Sequence, residues 1–204
     1  MAHEIAHGHG AEATSTGLHH RKVLMWTFLA SDCLFFGSLI ATYMAYRGRS
    51  LAPPHPAEIF DIPYTSVSAF VLLMSSLTMV LALHALQHGR IRNFRIWLTA
   101  TALLGLVFVG GQAYEFTTFV EEGLTPSVNL FGSTFYTLTG FHGAHVTVGV
   151  LWLLSIVVYS FVKPFDPAVH SLDVEIAGLY WHFVDIVWIV IFTVVYLIPT
   201  PVPH

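Results

Sequence analysis

The sequence predicts an all-α integral membrane protein, a bundle of five transmembrane helices, and three observations carry that prediction. Of its 204 residues 55% are apolar and only 10% are charged, whereas soluble domains carry about 25% charged residues. Five stretches of about 20 or more residues are apolar enough to cross the hydrocarbon of a bilayer as a helix. Backbone groups in lipid must be satisfied within their own segment, and helices do this.

The five spans run approximately from Val23 to Tyr46, Tyr64 to His88, Phe94 to Val120, Phe131 to Phe161 and Val174 to Ile198. Pro53, Pro54, Pro56 and Pro63 punctuate the first connection and Pro164 and Pro167 the fourth. Residues 1–22 precede the first span as a polar tail. With no apolar stretch before Val23, they do not read as a cleaved signal. The tail holds His3, His7, His9, His19 and His20, which invites a metal-binding reading, but flexible histidines lack fixed ligand geometry. Residues 23–198 form a single domain without an internal repeat, and 199–204 a short C-terminal tail.

The formal charge of -4 says little about partners, and the eight Lys and Arg residues are scattered, which sets nucleic acid aside. Their distribution predicts orientation. With the N-terminus in the cytoplasm, that side receives Arg21, Lys22, Arg90, Arg92, Arg95 and Lys163, against Arg47 and Arg49 outside. The C-terminus then lies outside. The lone cysteine, Cys33, sits within an apolar run and reads as a buried small hydrophobe.

Ionisable residues inside spans are expensive and face the bundle interior or a partner. Six stand out: Asp32 in the first span, Glu115 in the third, His142 and His145 in the fourth, His182 and Asp185 in the fifth. Residues 142 and 145 are three apart, as are 182 and 185, and Gln112 precedes Glu115 by three, so each pair shares a helix face. By helix rise, Asp32, His182 and Asp185 reach a common depth. Gly132, Gly140, Gly143, Ala144 and Gly149 make the fourth helix the expected centre of the bundle. Three readings of the polar set stay open: a di-iron or zinc centre, a proton or ion path, and a hydrogen-bonded network that fixes helix register.

Three segments are more specific. WTFLASDCLFF (26–36), GQAYEF (111–116), and the fourth and fifth spans with FGSTFYTLTGFHGAHVTVG and LYWHFVDIVW resemble the signature segments of subunit III of haem-copper cytochrome c and quinol oxidases. They occur in the same order, and the resemblance covers nearly all of 23–196. It implies a short, five-helix bacterial form of a family in which many members have seven helices. The matching family position is often Glu where Asp32 stands. Glu115, His142, His145, His182 and Asp185 fall at the family's intramembrane polar positions.

The resemblance implies a non-catalytic subunit of a proton-pumping terminal oxidase in the bacterial inner membrane. Subunit I would be its direct partner, with subunit II and a small subunit IV in the complex. Haem and copper would reside in the partners, with cytochrome c as the expected electron donor and quinol as the alternative. Implied roles are sustaining proton uptake, protecting the catalytic subunit, giving lipid and oxygen access, and assisting assembly. No C-x-x-C-H motif occurs, and one cysteine cannot build a copper pair. Phospholipid is the one small molecule expected on this chain, with Arg90, Arg92 and Arg95 as head-group contacts. His145 or His182 is expected to partner Asp32. The rival classes are a stand-alone proton-coupled transporter and a membrane metalloenzyme.

Overall fold

A computed structural model describes residues 17, 19–47, 49 and 60–198. The histidines at 3, 7 and 9, the prolines at 53, 54 and 56, and the tail at 199–204 lie outside the described residues. Five helices follow one another: α1 (His20–Tyr46), α2 (Ile62–Gln87), α3 (Ile91–Glu121), α4 (Leu130–Val162) and α5 (Pro167–Phe192). The last continues into a π-helical turn, Thr193–Leu197. All five are long and apolar enough to span a membrane. At 33 residues α4 is roughly 50 Å long, longer than the hydrocarbon core, so it tilts or projects beyond it.

Local chemistry explains the boundaries. Asp61 accepts from the Tyr64 amide at the start of α2, and Asn129 accepts from the Gly132 amide, at 2.7 Å, at the start of α4. Pro167 does not break a helix. It occupies the first turn of α5, whose cap is Asp166, so α5 starts seven residues earlier than hydropathy places it. The α2–α3 and α3–α4 connections both turn on glycines with positive φ, Gly89 (71°) and Gly123 (90°). Beyond each, an amide returns to the carbonyl five residues back, Arg90 to Ala85 and Leu124 to Phe119, a Schellman-type closure.

Around the bundle the packing order is α1, α4, α3, α2, α5 and back to α1, with α4 and α5 also in contact. The fourth helix therefore shares the centre with the fifth, which is the more enclosed: half of its most apolar window is buried against a third for α4. Trp181, on α5, shows why. Its indole is 1% exposed and lies between Gly105 of α3 and Gly149 of α4, and its Nε1 donates to Ser75 Oγ of α2 at 2.9 Å. One side chain thus joins four helices. A methyl group at Gly105 or Gly149 would stand 2.6 or 2.9 Å from the ring, so only glycine admits it.

Large apolar side chains such as Leu34, Phe70, Val107, Leu151 and Ile186 are exposed on the outside, as expected where lipid or a partner replaces water. Cys33 is exposed too, contrary to the burial read from its apolar run. Helix α1 is the least enclosed of the five, so an apolar run along it does not imply a core position.

Candidate functional site

The six intramembrane polar residues are divided among separate interhelical contacts. The first joins α1 to α4: His145 Nε2 lies 3.4 Å from Asp32 Oδ2. His145 is thus the partner of Asp32, and His182 is not. His145 Nδ1 is 2.7 Å from the Phe141 carbonyl. A carbonyl only accepts, so Nδ1 carries a proton and donates there. Tyr180 of α5 donates to the His145 carbonyl at 3.0 Å, and the Phe36 ring packs edge-on to the imidazole at 4.9 Å. Helices α1, α4 and α5 therefore meet around this pair.

The second contact joins α2 to α5. Ser76 Oγ lies 2.9 Å from His182 Nδ1 and donates to Asp185 Oδ2. With its proton given to the carboxylate, the hydroxyl accepts from His182, so donation runs from His182 through Ser76 to Asp185. The expectation that Asp32 meets this pair at a common depth is not realised, because the pair turns toward α2. The third contact lies toward the other end of α3. Thr65 of α2 donates to Glu115 Oε1 at 2.7 Å, and the Tyr196 hydroxyl approaches Oε2 at 3.5 Å. Tyr196 stands in the π turn, which re-aims the end of α5 and brings this ring to 5% exposure.

His142 differs from the other five. It is fully buried, its ring stacks on Trp188 at 5.0 Å and meets Phe108 edge-on at 5.9 Å, and neither ring nitrogen has a hydrogen-bond partner among the described residues. Its neighbour in the motif, Gly143, serves packing. The Gln112 amide crosses from α3, lies 2.5 Å from where a Cβ would stand at 143, and donates to the Thr139 carbonyl at 2.9 Å. Gln112 and Glu115 are thus split between α4 and α2.

Among the described residues no three His, Cys, Asp or Glu side chains gather closely enough to share a metal ion, so the six do not form the single ligand set of a di-iron or zinc centre. Of the three arginines considered for lipid head groups, Arg90 and Arg92 are exposed. Arg95 donates to the Ser160 carbonyl and covers the Phe161 ring at 4.4 Å, linking α3 to α4. Thr65, Trp181 and Tyr196 are contacts that sequence reasoning missed. A threonine or an aromatic residue in a span carries no signal of its own until the facing helix is known.

Comparison with known proteins decides what this scaffold belongs to. The family model described as cytochrome c oxidase subunit III matches residues 1–199. Cytochrome c oxidase subunit 3 of Bacillus sp. (strain PS3) is 38% identical over 172 residues, 84% of this chain and 83% of the relative. Cytochrome bo(3) ubiquinol oxidase subunit 3 of Pseudomonas aeruginosa is 38% identical over 196 residues, 96% of this chain and 92% of the relative. Quinol oxidase subunit 3 of Bacillus subtilis is also 38% identical, with 84% of each chain covered. A stand-alone transporter finds no support in these relatives. Five spanning helices and bacterial relatives of this kind make the chain a multi-pass protein of the inner membrane. It belongs to the cytochrome c oxidase subunit III family and is a subunit of a haem-copper terminal oxidase complex.

Proposed function

We propose that this chain is the non-catalytic scaffold subunit of its oxidase, packed directly against subunit I, with subunit II and a small subunit IV in the same complex. The observation that carries the reading is where its intramembrane polar groups go. Asp32, Glu115, His145, His182 and Asp185 all meet partners on other helices of the same chain. Such groups fix helix register in lipid, where an unpaired polar atom is costly. Two of the intramembrane histidines are ill placed for a haem: His142 is sealed among Phe36, Phe108 and Trp188, and His145 holds the Phe141 carbonyl with Nδ1 and turns Nε2 toward Asp32. Haem and copper are therefore assigned to the partners, which reduce oxygen. This chain sustains their proton uptake, their protection during turnover, and the approach of lipid and oxygen.

The N-terminus is assigned to the cytoplasm. The start of α1, the α2–α3 turn with the first turns of α3, and the end of α4 carry Arg21, Lys22, Arg90, Arg92, Arg95 and Lys163, against Arg47 and Arg49 at the other end. Phospholipid head groups are assigned to Arg90, Arg92 and Arg95 at this rim. Cytochrome c is the proposed electron donor. Quinol is the second reading, because relatives named for quinol oxidases are as similar as one named for cytochrome c oxidase.

A reduced-minus-oxidised spectrum with metal analysis, on the complex that copurifies with this chain in mild detergent, tests the assignment. Haem bands and copper carried by a larger partner are expected, and a preparation with neither would defeat it. Asp32→Ala is expected to loosen the subunit or shorten the working life of the complex with the haem signal intact. Loss of haem from an otherwise intact complex would overturn the scaffold role.

A further inference from the structure

We infer that His84 and His88, on the last turn of α2, form a surface site for one divalent first-row transition ion such as Ni²⁺, Cu²⁺ or Zn²⁺. The two are four apart on one helix, so their side chains lie one above the other. Their ring centroids are 4.2 Å apart, and both residues are exposed. The protons are already sorted on one of them. His88 Nδ1 is 2.8 Å from the His84 carbonyl, and because a carbonyl only accepts, this nitrogen carries the proton. That leaves His88 Nε2 as a lone-pair donor, with the ring orientation fixed by a backbone carbonyl on its other nitrogen, as is usual for metal-ligating histidines. Imidazole is a ligand of choice for Cu, Ni and Zn.

The helix end favours a cation as well. His88 caps α2, and the negative end of the helix dipole there opposes the repulsion from nearby Arg90 and Arg92. No third His, Cys, Asp or Glu joins the pair among the described residues. The ion would therefore keep water in its remaining positions, giving an exchangeable site unlike the closed four-ligand structural kind. The site is remote in chemistry from the buried contacts that hold the bundle and goes beyond the scaffold role.

The test uses the intact complex in mild detergent, dialysed against Ni²⁺ alone, with bound nickel counted and the haem spectrum recorded. The tail histidines are the competing source, so a variant with His3, His7, His9, His19 and His20 changed to Gln is dialysed in parallel. The tail variant is expected to keep one nickel that His84→Gln and His88→Gln each weaken by about a hundredfold, since two linked ligands outbind one by about that factor. In the unaltered complex, Ni²⁺ is expected to shield both rings from diethyl pyrocarbonate, read by mass spectrometry. Unchanged nickel binding in both single variants, or unshielded rings at saturating Ni²⁺, would overturn the proposal whatever the outcome for the scaffold role.

Discussion

Replacing Gly105 with alanine tests the central packing of the bundle with one methyl group. The new Cβ would stand 2.6 Å from Trp181 Cη2 and 2.8 Å from Val150 Cγ2. Ordinary carbon contacts lie at about 3.5–4.0 Å, so something must move by about 1 Å. The indole has no room to yield: its far side rests on Gly149, and Nε1 is tied to Ser75 Oγ. Overpacking of a close-packed site costs about 1–3 kcal/mol, and a rigid ring held on two sides places this change at the upper end. Gly110→Ala, five residues on in the same helix, is the matched control, because among the described residues no atom beyond its own stretch of helix lies within 4 Å of its added Cβ. There alanine gains up to about 1 kcal/mol from helix propensity. The two substitutions are chemically identical, yet a gap of about 2–4 kcal/mol is expected between them in unfolding free energy. Denaturing-detergent titration of the purified chain, followed by helical circular dichroism, measures it. Coincident midpoints for the two variants would refute the reasoning that Trp181 is wedged between glycines.

Other predictions follow from single contacts. Ser76→Ala removes the hydroxyl between His182 and Asp185 and is expected to cost about 1–3 kcal/mol in the same titration; an unchanged midpoint would show that the two side chains do not depend on it. Thr65→Val takes the 2.7 Å donor from Glu115 and leaves the carboxylate the longer Tyr196 contact, so a loss of similar size is expected, and a stabilised variant would contradict the geometry. Lys22→Met breaks the 2.5 Å pair with Glu175, but the two side chains are 25% and 35% exposed; the expected loss is below about 1 kcal/mol, and a loss above about 2 kcal/mol would mean the pair is shielded. Cys33 of the isolated chain is expected to react with a lipid-soluble maleimide, and complete protection would place it inside the bundle.

The sequence by itself determined the five spans, because apolar length is a local quantity and lipid leaves the backbone no alternative to a helix. It also determined which residues are too polar to face lipid, and all six lie where the structure uses or encloses them. Partners were another matter. A three-residue spacing predicts a shared face, yet on a helix those residues still point about 60° apart. That angle sends Gln112 to Thr139 on α4 and Glu115 to Thr65 on α2. It also leaves His145 beside Asp32 while His142 turns among Phe36, Phe108 and Trp188. The start of α5 was legible in principle from Asp166 and Pro167, which a hydropathy window passes over. The π turn that carries Tyr196 to Glu115 and the four-helix contacts of Trp181 were not legible, because both depend on how helices far apart in sequence are rotated and staggered. Only packing of the whole bundle sets that rotation.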